Sequence, residues 1–90
     1  MTTREYLDLV DKEIKDFEGE GFEKDRDNLE VIQVWYCKTI QNHKGLFIVK
    51  NTKYDFIYPQ FIEATYNGDV KELYLDFYEK VFKHTVKVGD

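Results

Sequence analysis

Between Thr3 and Phe17 the apolar residues Leu7, Val10, Ile14 and Phe17 recur at spacings of three and four, and Asp8, Asp11, Lys12, Glu13, Lys15 and Asp16 fill the other face. That period predicts an amphipathic helix with one core-facing stripe. Thr2 and Glu5 form a capping box at its start, in which the hydroxyl and the carboxylate each satisfy a backbone N–H that has no helical carbonyl to reach. Asp8–Lys12 and Asp11–Lys15 are opposite charges one turn apart. Gly19 and Gly21 supply the stop, because glycine takes left-handed conformations without steric cost.

Residues 18–30 are polar and charged, with Phe22 and Leu29 their only large apolar side chains, and read as an acidic connector. From Val31 the pattern changes to β-branched and aromatic residues through Ile40, which predicts a first strand. Gln41–Gly45 has turn chemistry, Leu46–Lys50 returns as a second strand, and Asn51–Asp55 turns again. Pro59 cannot donate to a ladder, so Phe56–Phe61 is expected at an edge, bulge or loop. Asn67-Gly68 between Phe61–Tyr66 and Val70–Leu75 predicts a hairpin with a two-residue turn of positive φ at both central positions. That register sets Thr65 against Val70, Ile62 against Leu73 and Glu63 against Glu72; a bulged three-residue loop is the alternative. Asp76 and Glu79 form a second capping box before Phe77, Tyr78, Val81 and Phe82, which predicts a short helix over residues 76–85 and a tail over 86–90. The expected fold is α+β in the order α-β-β-β-β-α: a single domain over residues 1–90, with a four-stranded antiparallel meander over 31–75 and two helices packed on it.

Composition narrows the class. Ninety residues, of which 42% are apolar and 17% aromatic, suffice for one core built largely on rings. The single cysteine, Cys37, cannot make an intramolecular disulfide or a thiolate metal cluster, which favours a reducing compartment. Met1–Glu5 holds no apolar signal core and no apolar run approaches a membrane span, so a soluble cytoplasmic protein is expected. The net charge of −5 is uneven: residues 1–30 carry eleven acids and five bases, and residues 31–90 seven acids and eight bases. Phosphate backbones are repelled by the acidic third, so duplex DNA is disfavoured as a partner and a basic protein fits better.

Candidate chemistry is sparse. Cys37 falls mid-strand and His43 in a turn, with no third group to orient the imidazole, so a buried structural cysteine is expected rather than a nucleophile. His43 and His84 lack ligand spacing, and Asp25-Arg26-Asp27-Asn28 lacks the glycine and length of a calcium loop, so neither metal nor cofactor is expected. Glu63, Glu72 and Asp76 fall near the second hairpin, but surface and capping roles account for them without acid–base catalysis. The aromatics Trp35, Tyr36, Phe56, Tyr58, Tyr66, Tyr74 and Tyr78 exceed one core stripe, since neighbours on a strand point to opposite faces. An exposed group would mark a partner site or a homodimer interface.

Two stretches, Val34–Asn42 and Glu63–Asp69 running on to Tyr74 and Asp76, resemble a family of uncharacterised small proteins encoded in phages and prophages of Gram-positive bacteria. The resemblance covers the C-terminal two thirds. It implies a phage or prophage origin and carries no activity. The expected role is a non-enzymatic protein-binding module that meets a basic host or phage protein through acids (Glu18, Glu20, Glu23, Asp25, Asp27) or exposed aromatics (Trp35, Tyr36, Tyr66, Tyr74). The rival is single-stranded nucleic-acid binding, with the same aromatics as stacking platforms and Lys38, Lys44, Lys50 and Lys71 on phosphates.

Overall fold

The computed structural model describes residues 1–18, 26–79, 86, 87 and 89. Over these the chain is α+β: helix α1 (Thr3–Glu18), a 3-10 turn at Arg26–Asn28, and strands β1 (Leu29–Lys38), β2 (His43–Asn51), β3 (Phe56–Ile57), β4 (Gln60–Asn67) and β5 (Glu72–Glu79). All strand pairs are antiparallel, in the order β1-β2-β4-β5, with β3 also paired to β2.

Helix α1 begins as its sequence predicts. The Glu5 N–H donates to Thr2 Oγ1 and the Thr2 N–H to Glu5 Oε1, both at 3.1 Å. Its buried stripe is Tyr6, Val10 and Ile14, one residue every four. Phe17, expected in that stripe, is 58% exposed and stacks on Phe77 with ring centroids 4.3 Å apart. Asp11 and Lys15 pair at 3.0 Å, but Asp8 and Lys12 do not meet: Asp8 takes Arg4 at 3.4 Å and Lys12 takes Asp16 at 3.0 Å. Those alternatives span the same single turn, and Asp16 is held in place by Arg26 at 2.6 Å. The glycine stop at Gly19 and Gly21 lies outside the described residues.

The sheet departs from the expected meander in three ways. First, Pro59 cuts the third strand in two. From Phe47 to Lys50 is three steps along β2, whereas their partners Ile62 and Ile57 are five apart; the Tyr58 N–H still donates to the Val49 carbonyl at 2.9 Å, so the two extra residues fall at the Pro59 break, and β3 and β4 share one edge of β2. This makes five strands rather than four.

Second, the β4–β5 hairpin is longer than a two-residue turn. Asn67 faces Glu72, Thr65 faces Tyr74 and Glu63 faces Asp76, leaving Gly68–Lys71 as the loop. The shift of four residues keeps every side chain on its face and adds the apolar rungs Ile62–Phe77 and Ala64–Leu75. The left-handed residue is Lys71, with φ 55°, and Gly68 has no positive φ. Glycine at 68 answers to space instead: a Cβ there would lie 2.2 Å from the Gln41 carbonyl oxygen, and its N–H donates to Asn42 Oδ1 at 3.0 Å.

Third, residues 76–79, expected to open a C-terminal helix, belong to β5. Leu73, Leu75 and Phe77 alternate with Tyr74, Asp76 and Tyr78, and eight consecutive pairs with β4 satisfy the backbone, so period two prevails over the local capping pattern. Residues 80–85 of the expected helix lie outside the described residues. The core is one layer deep, formed where Tyr6, Val10 and Ile14 meet Leu29, Phe47, Val49, Ile62 and Ala64. No described helix is long and apolar enough to cross a membrane.

Candidate functional site

Register assigns each strand residue to one of two faces. His43, Gly45, Phe47, Val49 and Asn51 of β2 are buried on the face toward α1 with their partners Ala64 and Ile62, and Tyr36, Tyr66 and, one strand further, Leu73, Leu75 and Phe77 pack half-buried on the same face. The alternate residues form the opposite face, which no described element covers. There Ile32 pairs with Ile48, Trp35 with Leu46, Cys37 with Lys44, Phe61 with Tyr78 and Thr65 with Tyr74. Trp35 is 41% exposed, Phe61 and Tyr74 44%, Tyr78 52% and Ile57 55%.

Charge on this open face divides between its two halves. Lys44 and Lys50 stand on β2, with Glu30 at the far end of β1, whereas Glu63, Glu72 and Asp76 stand on β4 and β5. Glu63 and Asp76 face one another directly, a repulsive cross-strand pair, and Lys44 reaches Glu63 at 3.3 Å from the other side. The Tyr74 hydroxyl donates to Glu72 at 2.6 Å, which holds the phenol above its ordinary pKa because ionisation would break that bond. Beside the β1–β2 turn the face dips into a groove of about 410 Å³ lined by Trp35, Cys37, Thr39, Asn42, His43, Lys44 and Thr65.

The covered face holds a polar network that sequence reasoning missed. Tyr6, fully buried, donates its hydroxyl to the Ala64 carbonyl at 2.7 Å and stacks on the His43 ring at 5.0 Å. Burial pushes the Tyr6 phenol well above its ordinary pKa. His43 is 1% exposed; its Nδ1 meets the Tyr36 hydroxyl at 2.5 Å and its Nε2 the Met1 carbonyl at 3.1 Å. Tyr36 in turn meets Thr3 Oγ1 at 3.1 Å. With Nε2 protonated, His43 donates to Met1 and accepts from Tyr36, so both ring nitrogens are matched and the network pins the N-terminus to the sheet. The signal in the sequence was Tyr6 itself, four residues before Val10 on the buried stripe.

The expected site residues separate. Trp35 and Tyr74 stand on the open face but on opposite edge strands, three strand spacings apart, roughly 14 Å. Tyr36 and Tyr66 lie on the covered face, where they pack against the core. Cys37, expected to be buried, is exposed, because its position alternates with Tyr36 onto the open side. His43, expected in a turn, opens β2 and sits buried behind it, so thiol and imidazole occupy opposite faces and form no nucleophile–base pair. Glu20, Glu23 and Asp25 lie outside the described residues. Asp27 is exposed, and Glu18 is half-buried with Oε1 unpartnered among the described residues, its carboxyl pushed up by that burial. The helix acids are not a bare negative surface, since Asp8, Asp11, Glu13 and Asp16 are each paired with a base. Among the described residues no three His, Cys, Asp or Glu side chains gather as metal ligands.

No curated protein and no solved structure matches this chain. A family does, and the match includes helix α1 as well as the sheet that the resemblance in sequence covered. Over residues 4–88 the chain matches, and belongs to, the family of unknown function DUF6275.

Proposed function

We propose that this protein is a non-enzymatic protein-binding module that receives its partner on the open face of the sheet. The observation that carries this reading is that face itself, where Trp35, Ile57, Phe61, Tyr74 and Tyr78 each keep more than two fifths of their surface in water. Large apolar and aromatic side chains exposed together on one sheet face, interspersed with charge, mark association surfaces, and aromatic residues dominate their energetics. The sheet face is also favoured over an acidic surface on α1, because Asp8, Asp11, Glu13 and Asp16 are already paired with bases; the acids of residues 18–30 are a separate candidate. Nucleic-acid binding also loses support: the face carries four acids against Lys44 and Lys50, Lys38 belongs to the other face by register, and Lys71 sits in the β4–β5 loop. The resemblance of Val34–Asn42 and Glu63–Asp69 to phage and prophage proteins supports the role of a cytoplasmic accessory factor of such an element.

The test is affinity capture from host lysate at low salt with three baits: the unaltered protein, a Trp35→Ala/Tyr78→Ala variant, and a variant with the acids of residues 18–30 neutralised. A partner lost only from the aromatic variant supports the sheet face. Loss only from the neutralised variant, or capture indifferent to both changes, rejects it. Quenching of Trp35 fluorescence by a single-stranded oligonucleotide would favour nucleic acid instead.

A further inference from the structure

We propose that the occupant of the open face is a second copy of this chain, packed face to face about a two-fold axis that runs parallel to the strands. This rests on the reading of that face as a protein-binding surface and names its partner. Such an axis lays β1 over β5 of the second copy and β2 over its β4, an isologous contact in which each side chain meets the same set from both sides.

Three observations select this arrangement. Ile48 and Phe61 are the residues next after Phe47–Ile62, the last β2–β4 rung, and both belong to the open face; with their partners Ile32 and Tyr78 they place an apolar side chain on each of the four strands at this level of the sheet. The axis maps that row onto itself, so apolar meets apolar along its full width. The charges also agree: Lys44 comes over the Glu63–Thr65 stretch of the second copy and Glu63 over the Lys44–Leu46 stretch, so the lysine-bearing half covers the acidic half. A two-fold running across the strands would lay β2 on β2 and drive Lys44 toward Lys50 of the second copy. Finally, four strands by nine residues give a face of about 19 by 30 Å, whose accessible area approaches the roughly 800 Å² per partner of a standard interface. The product is a sandwich of two sheets about 10 Å apart with a helix on each outer side.

Sedimentation velocity over a wide concentration range, with the emission of Trp35 followed in parallel, tests the proposal. The expected result is a concentration-dependent doubling of mass with a blue shift of Trp35 as its edge becomes covered. Phe61→Lys/Tyr78→Lys should raise the dimer dissociation constant about 100-fold or more. Both side chains are exposed, so circular dichroism should show the variant folded. Lys44→Glu and Glu63→Lys should each weaken self-association about tenfold, because each sets like charges against one another at both symmetry-related contacts. An equimolar mixture of the two single variants should recover association as a heterodimer, since only across this axis does the new carboxylate of one variant meet the new ammonium of the other. A protein monomeric at every concentration, a dimer untouched by Phe61→Lys/Tyr78→Lys, or a mixture that fails to recover would each overturn the proposal. With a monomeric protein, capture from lysate by the unaltered bait but not by Phe61→Lys/Tyr78→Lys would leave the broader protein-binding reading standing, and equal capture by both would remove that as well.

Discussion

The two faces of this sheet are woven from the same strands, one residue out of step, and they meet opposite fates. On one, Tyr6, Val10 and Ile14 close over Phe47, Val49, Ile62 and Ala64, and none of these keeps more than 3% of its surface exposed. On the other, residues of the same apolar character stay in water. The one α-helix among the described residues closes only one side of the sheet, so here a single step along a strand separates what holds the fold from what is open to a partner.

The sharpest way to break this division is to delete one large ring on each face. Tyr6→Ala removes a buried ring and its bond to Ala64 and should cost about 3–5 kcal/mol, enough to unfold a marginal domain. Trp35→Ala should cost no more than about 1 kcal/mol in dilute denaturant titrations. Equal costs would mean that the open face is closed in the monomer. The covered face is also tightly fitted. A Cβ at Gly45 would come 2.7 Å from the Phe47 ring and 3.1 Å from Tyr6 Oη, so Gly45→Ala should destabilise by about 1–3 kcal/mol, visible as a lower urea midpoint with unchanged slope.

His43→Phe keeps the ring but removes the bonds to the Tyr36 hydroxyl, which retains Thr3, and to the Met1 carbonyl, and about 1–2 kcal/mol should be lost. The loss should appear first as faster amide exchange in the opening turn of α1.

The smallest effect is a pH dependence of the helix that does the covering. Capping bonds from Thr2 hold the Glu5 carboxyl below its ordinary pKa of 4.5, and Arg26, with help from Lys12, holds Asp16 below 3.8. Each therefore stabilises the folded chain above the ordinary carboxylate range, and that contribution fades as pH falls through the lowered folded values. Thermal midpoints should decline on acidification through that range, and the decline should be shallower in Glu5→Gln.

What the chain announced in advance follows its local physics. The capping box at Thr2 and Glu5, the helical period of α1, the break at Pro59 and the β-rich run from Val31 all depend on near neighbours, and all appear in the structure. What failed depended on distant ones. Asp76 and Glu79 satisfy a capping pattern, yet β4 offers β5 eight rungs, and no local pattern competes with that. Asn67-Gly68 suggested its own turn, whereas the apolar rungs beyond it set the register. Of the candidate site, Trp35 and Tyr74 were legible as surplus aromatics, but which surplus faced water depended on strand parity, and along β1 parity changes at a bulge at Val34. Tyr6 and His43 were invisible as partners because they are brought together only by docking the helix on the sheet.

The meeting of Gly68 with the Gln41–Asn42 backbone bears on how the chain assembles. The β1–β2 and β4–β5 hairpins each close over a few residues and can form early and separately, while the Gly68–Asn42 bond spans 26 residues and exists only after both have docked through β2 and β4. The two loop tips thus act as a latch set at the end of folding. A methyl group at position 68 would leave each hairpin able to form and would speed the release of one from the other, shortening the lifetime of the native state more than it slows the search for it.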